Sequence, residues 1–528
     1  MRRIIFDRFK MSSWRLKRLP FIWFAPFLAL VALLAWSVAS PMGASPDDDF
    51  HLASTWCANA SNTAACLPGS TLSTRIVPAA VHEAPCFSAK PTMSASCQTT
   101  EFTLDPEPTV ETDRGNFSGA YPPVYYAVMS VFVSSDILAS VLVMRAVTVV
   151  LFVAMFSALF ILLPISRRPA LVWGWLITTI PLGTFLLASN NPSSWAMMGV
   201  GFAWIALLGF FESTGKRRIA LGALFALAVV LAAGSRGDSA LYVIVAIGAV
   251  GILKCARTKK FWFDAILPAV MVLVAAFFFL TSRQSASGTQ GFGGNGTPPG
   301  TGSAPQDSLS GFGLMAYNAL NIHGLWAGVF GNWGLGWLDT SMPSLVTFGA
   351  VAVFVAIGFG GLAAVSKRKL VVVALLALVL WVLPVYVLVQ GGDTVGEAVQ
   401  PRYILPLIVL LGGMLMLTRG SQRIEFSRSQ LVLVVGTLSV VQFVALHMNI
   451  RRYVTGIDGA GLNLNANLEW WWDIPFSPMM VWIGGSLAYA LLVWILVREV
   501  SRKRVVVSGE KALGLTDDAV GDSRPLVG

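Results

Sequence analysis

"FIWFAPFLALVALLAWSVASPMGASPDDDFH" runs from Phe21 to His51. Residues 21–40 carry no charge, and soon after them come three consecutive aspartates and a histidine. A helix of this length covers about 30 Å, the hydrocarbon thickness of a bilayer, so the first part reads as a transmembrane helix. Adjacent carboxylates repel one another and cannot lie in hydrocarbon, so "SPDDDFH" belongs at the membrane's edge. An acidic helix flank is the simpler account, but three acids and His51 exceed what topology requires. "SVAS" has the look of a cleavage site. The apolar run is long for a signal peptide, however, and Pro41 would follow the cut, so the segment reads as an uncleaved span.

The rest of the chain extends this reading. Of 528 residues, 55% are hydrophobic and only 12% charged, with a mean hydropathy of +0.69. A soluble protein carries roughly twice that share of charge. The class is therefore an all-α membrane protein. A net charge of +10 would suit nucleic acid, but 28 of the 37 Lys and Arg fall in the two tails and five short loops: "SRRP", "STGKRR", "KCARTKK", "SKRK" and "TRGSQRIEFSRS". That is the positive-inside pattern, and it calls for no nucleic-acid partner. Apolar runs predict twelve helices near 21–40, 137–163, 170–188, 195–212, 218–233, 239–253, 262–281, 343–365, 370–390, 403–418, 429–448 and 477–497. With the basic N-terminus inside, every basic loop is cytoplasmic and both termini share that side. Three parts follow: a basic cytoplasmic tail (1–20), a polytopic membrane domain (21–497) and a polar, disordered cytoplasmic tail (498–528).

Two outer loops are large. Residues 41–136 hold Cys57, Cys66, Cys86 and Cys97, an even count on the oxidising side that predicts two disulfides, most simply between near neighbours. Four cysteines allow three pairings. Cys255 reads as a free thiol. The loop ends in "YPPVYYAVMSVFVSS", too short to span and suited to a helix lying in the interface. Residues 282–342 begin with a Gly/Ser/Thr/Pro-rich stretch expected to be flexible. They continue in an apolar, aromatic stretch broken by glycines, expected to dip into the interface. No internal repeat is visible in the apolar pattern, which weighs against an inverted-repeat transporter.

Polar residues collect at the outer helix ends. Asp47, Asp48, Asp49 and His51 follow the first span, and Tyr121 opens the interfacial segment. Asn190 and Asn191 lie in "SNNPSS", Arg236 and Asp238 in "SRGDS", Asp339 in "GWLDTSMP", and Arg402 and Tyr403 in "QPRYILP". Plainer accounts exist for each. His51 can be a satisfied interface histidine, Asn191–Pro192 an ordinary turn, Arg236 and Asp238 a local pair, and Arg402 a side chain snorkelling to headgroups. No cluster of acids matches it on the cytoplasmic side, so function points outward. No metal motif of diagnostic spacing, phosphate-cradling glycine loop, nucleophile elbow or nucleotide fingerprint is present. Cytoplasmic ATP is therefore not the energy source, and no cofactor is specified; a divalent metal ion, with no site assigned, is left open.

These motifs also resemble a known family. "SPDDDFH" looks like the Pro-Asp-(Asp/Glu)-x-x-His motif of domain-of-unknown-function family 2142, a group of bacterial membrane proteins. "YPPVYY", "NNPSS", "GWLDTSMP" and "QPRYILP" resemble its further motifs in the same order, over about residues 20–450. That family is similar in layout to GT-C glycosyltransferases, which use polyprenyl-phosphate sugars on the outer membrane face and keep a catalytic carboxylate in the first outer loop. "QPRYILP" departs from the pattern, with proline where the family usually has glycine. The cysteine-stapled insertion is not a general feature either.

The resemblance implies a GT-C-like fold and an inverting transfer of a sugar from a polyprenyl-phosphate donor to an envelope glycan or glycoprotein acceptor. Asp47 or Asp48 would be the base. Arg402 or Arg236 would meet the lipid phosphate, with His51, Tyr121, Asn190, Asn191, Asp238, Asp339 and Tyr403 lining the substrate site. A transporter or flippase of a lipid-linked glycan is the alternative, and a non-catalytic envelope scaffold a third.

Overall fold

The computed structural model describes residues 21–59, 66–98, 108–286, 311–363, 365–418 and 424–501. The basic tail 1–20, most of the Gly-rich stretch and the C-terminal tail beyond 501 lie outside the described residues. Helix α1 (Ala25–Val38) leads into α2 (Asp48–Trp56), α3 (Ala79–Glu83) and α4 (Val124–Met129) of the first long loop. Then follow α5 (Ile137–Leu162), α6 (Arg168–Leu176), α7 (Leu182–Leu187), α8 (Pro192–Glu212), α9 (Gly215–Ser235), α10 (Gly237–Lys254), α11 (Lys259–Asp264) and α12 (Ile266–Thr281). The chain ends with α13 (Gly311–Val329), α14 (Ser344–Gly361), α15 (Lys367–Gly391), α16 (Pro401–Leu415), α17 (Arg428–Val454) and α18 (Pro478–Ser501). Among the described residues, ten helical segments are long and apolar enough to cross a membrane. The protein is an all-α membrane protein.

The two remaining spans of the sequence reading are shorter than expected. Residues 170–188 break into α6 and α7 at "TTIPL", because Pro181 offers no N–H and turns its predecessor from helical geometry. Helix α16 has 15 residues and is buried at every position but Tyr403, so it is a core helix rather than a lipid-facing one. A third difference concerns 311–329, which forms one continuous helix despite its glycines. Gly328 serves packing there: a Cβ would stand 2.3 Å from Pro401 Cγ, so the missing side chain lets α13 meet the start of α16.

Helix α8 is the axis of the bundle. Within its apolar window 94% of residues are buried, against 22% for the segment Lys259–Thr281. It packs on α9, α10 and α16. A Cβ at Gly199 would come within 2.5 Å of Ala228 O and Ala232 N, so small residues set this close approach.

The described parts of the first long loop are folded. Strands β1 (Leu67–Pro68), β2 (Arg75–Pro78) and β3 (Thr109–Thr112) form an antiparallel sheet, with Leu67 opposite Ile76 and Val77 opposite Val110. Disulfides join Cys57 to Cys66 and Cys86 to Cys97, and Cys255 is an exposed free thiol. In α4, Tyr125, Tyr126 and Met129 are buried while Val128 is exposed, an amphipathic short helix.

Candidate functional site

The turn before α2 is built by three outside residues. Asn191, which caps α8 by accepting from Ser193 N, donates its amide to Ser45 Oγ and Pro46 O, both at 2.9 Å. Arg402 Nη1 donates to the same Pro46 carbonyl at 3.0 Å. Arg145, alone in the apolar run of α5, donates to the carbonyls of Ser37, Ser40 and Pro41, each at 2.7 Å, fixing the end of α1. Held at both ends, the chain passes through Asp47 with φ 59° and ψ 26°, a left-handed conformation that costs a non-glycine residue roughly 1–2 kcal/mol. That turn directs the three aspartates three ways.

Asp47 pairs with Arg402 Nη2, and its other oxygen lies 3.5 Å from Arg114 Nη2. Its side chain keeps 34% of its surface. Burial alone would raise its pKa; the Arg402 and Arg114 guanidinium groups outweigh that and hold the carboxyl well below the usual range. Asp48 turns inward and is fully buried. One oxygen accepts from Ser45 N at 3.4 Å and the other has no partner. Burial pushes its pKa up to about 7, against the pull of Arg145. Asp49 accepts two bonds from Arg114, at 2.8 and 3.0 Å.

His51 sits one turn on, buried against Tyr126, whose hydroxyl is 2.9 Å from Nδ1. Its Nε2 has no partner, and burial lowers its pKa to about 3, leaving the ring neutral. Tyr121 packs edge-on to that ring and is tied to Asn116 through its backbone, which Ser54 in turn holds to α2.

Arg236 is the single extended residue between α9 and α10. It grips Asp238 with two nitrogens, at 3.0 and 2.7 Å, and lies 4.6 Å from the Tyr403 ring centroid and 5.6 Å from that of Tyr121. Arg402 lies 5.1 Å from the Tyr403 ring and donates to its hydroxyl at 3.1 Å. Two buried guanidinium groups thus converge on one tyrosine. Arg402 is only 3% exposed and does not snorkel. Beside them, Asp238, Tyr242, Phe279, Leu383, Tyr403 and Ile404 help line an apolar recess of about 100 Å³. A larger cavity, about 510 Å³, lies elsewhere, among α1, α5, α6, α7, α17 and α18, and touches none of these charges.

Asp47, Asp48, His51, Tyr121, Asn191, Arg236, Asp238, Arg402 and Tyr403 therefore form one cluster. Asn190 lies at its base, bonded to Val141 O at 3.4 Å. Asp339 does not join. It pairs with Arg452 at 2.7 Å, and Arg452 also donates to the carbonyls of Phe87 and Met93. This second centre holds the Cys86–Cys97 loop against α17. Arg114, Arg145, Tyr126 and Arg452 escaped the sequence reading. A signal existed for Arg145, a lone charge inside an apolar span.

Among the described residues no group of three or more His, Cys, Asp or Glu is arranged to hold a metal ion. Asp47 and Asp49 are turned to guanidinium groups, so as they stand they do not fit a divalent cation. What the arrangement offers is a partly exposed carboxylate, Asp47, beside the buried guanidinium groups of Arg402 and Arg236.

No curated protein and no solved structure matches the chain. A model of the family described as "Predicted membrane protein (DUF2142)" matches residues 30–411, which include Asp47 and Arg402 but not Arg452. That match covers well over half of the 528 residues, and the chain belongs to this DUF2142 family of membrane proteins.

Proposed function

We propose that the protein is a membrane glycosyltransferase that moves a sugar from a polyprenyl-phosphate donor to a cell-envelope acceptor. The reaction takes place on the outer face of the cytoplasmic membrane, with both chain termini inside. The observation that carries this reading is the meeting of a partly exposed carboxylate, Asp47, with the buried guanidinium of Arg402 and the nearby Arg236. The acceptor oxygen forms a bond to the anomeric carbon, and its proton passes to Asp47. The bond from that carbon to the phosphate oxygen breaks, and the polyprenyl phosphate leaves with the electron pair, its charge met by Arg402 and Arg236. A single displacement inverts the anomeric centre. Asp48 is fully buried, which favours Asp47 as the base and Asp48 as a shaper of the turn. The recess beside Tyr403 accepts the first apolar units of the lipid.

A deletion strain complemented with wild type or Asp47→Asn tests this. Loss of an envelope sugar with accumulation of lipid-linked donor, unrelieved by Asp47→Asn, is expected. A lipid-linked glycan trapped on the inner leaflet would instead identify a flippase. An unchanged envelope would leave a scaffold.

A further inference from the structure

We propose that a phosphate ester enters this site by exchange: it replaces the Asp47 carboxylate on Arg402, so that Asp47 is released from that pair to act as a base only when the anion is bound. The inference rests on the reading of the site as one that takes a lipid phosphate.

The charge pattern requires a displacement. Asp47 pairs with Arg402, Asp49 with Arg114 and Asp238 with Arg236. His51, packed beside them, is buried and neutral. Three cations face three anions, so an arriving phosphate meets no uncommitted guanidinium. One carboxylate must give way.

The geometry points to Asp47 as that carboxylate. Asp238 and Asp49 each accept two bonds from their arginine. Asp47 receives Arg402 through Nη2 alone, while Nη1 is spent on Pro46 O and Nε has no partner. Asp47 is also the most exposed of the three, at 34% against 20% for Asp238 and 15% for Asp49. It has a second cation in reach, since its Oδ1 stands 3.5 Å from Arg114. Arg402 would not be left loose, because Pro46 O, the Tyr403 hydroxyl and the Tyr403 ring still hold it.

The exchange has a chemical consequence. A carboxylate paired with a buried guanidinium is a poor base, and losing that partner raises its proton affinity. Donor binding would therefore switch the base on. The proton Asp47 then takes from the acceptor hydroxyl balances the extra negative charge that the departing phosphate acquires when its bond to the sugar breaks.

The test is equilibrium binding of farnesyl phosphate to the full-length protein in phosphatidylcholine nanodiscs, followed by calorimetry. Asp47→Asn removes the competitor and should bind about tenfold more tightly than wild type, or better. Asp47→Glu keeps a competing carboxylate and should stay within about threefold of wild type, which controls for a turn disturbed by substitution. Arg402→Gln should bind at least about tenfold more weakly. If Asp47→Asn binds no more tightly than wild type while Arg402→Gln is still impaired, exchange is overturned and the phosphate reading stands. If no form binds farnesyl phosphate, both are overturned.

Discussion

Asp47 and Arg402 stand 355 positions apart in the chain and share one ion pair at the start of α2 and of α16. The pair joins residues near the two ends of the family match, and it is where the proposed transfer would bring donor phosphate and base together. Neither residue is placed by its own helix alone. Asn191 and Arg402 hold the Pro46 carbonyl, and Gly328 admits Pro401.

Replacing Arg402 by lysine should separate charge from shape. The guanidinium spreads its donors over Pro46 O, Asp47 and Tyr403, whereas an ammonium on a flexible stem cannot hold all three and still grip phosphate. Farnesyl phosphate should bind Arg402→Lys about tenfold more weakly than wild type, a loss of roughly 1.4 kcal/mol. Equal affinity would remove the clamp from the argument.

Asp48 should make stability depend on pH. Its folded pKa, raised to about 7 by burial, lies above the roughly 3.9 of an unfolded aspartate. The folded state therefore holds the proton more tightly, and stability falls as pH rises from about 4 to about 7. The neutral isostere Asp48→Asn lacks this loss. Thermal melts in nanodiscs should show the variant close to wild type at pH 4 and more stable than wild type at pH 8. A variant less stable than wild type at pH 8 would show that the charged form of Asp48 is needed.

The Asp339–Arg452 pair should be structural. Arg452 is fully buried and Asp339 nearly so. Removing one partner leaves a buried charge alone, which typically costs about 3–5 kcal/mol. Asp339→Ala should lower the melting temperature sharply, and farnesyl phosphate affinity should stay near wild type in whatever protein remains folded. Lost affinity at unchanged stability would return Asp339 to the substrate site.

The disulfides should order the loop rather than the bundle. Cys57–Cys66 and Cys86–Cys97 close loops with sequence separations of 9 and 11, each stabilising by about 2–3 kcal/mol. Peptide mapping without reduction should recover these two pairs. Reduction should expose sites in 66–98 to protease before it affects α8. Free thiols at all four loop cysteines, in addition to Cys255, in the unreduced protein would refute the pairing.

The sequence by itself determined the class and most of the helices. An apolar span must satisfy its own backbone bonds, so long uncharged runs leave few options besides helix. The acidic turn, "QPRYILP" and "SRGDS" were legible as candidate sites because charges at membrane depth need a reason. Apart from the local Arg236–Asp238 pair, only tertiary structure decided which charges meet. Arg114 and Asp49 touch across 65 positions and Asp339 and Arg452 across 113, distances over which composition and periodicity carry no signal. Tertiary packing also divided the three aspartates, which look alike in sequence, into an exposed pair-former, a buried acid and a tether. It joined the start of α16 to a turn more than 350 residues earlier, because small residues let helices from distant parts of the chain come close enough for their end groups to touch.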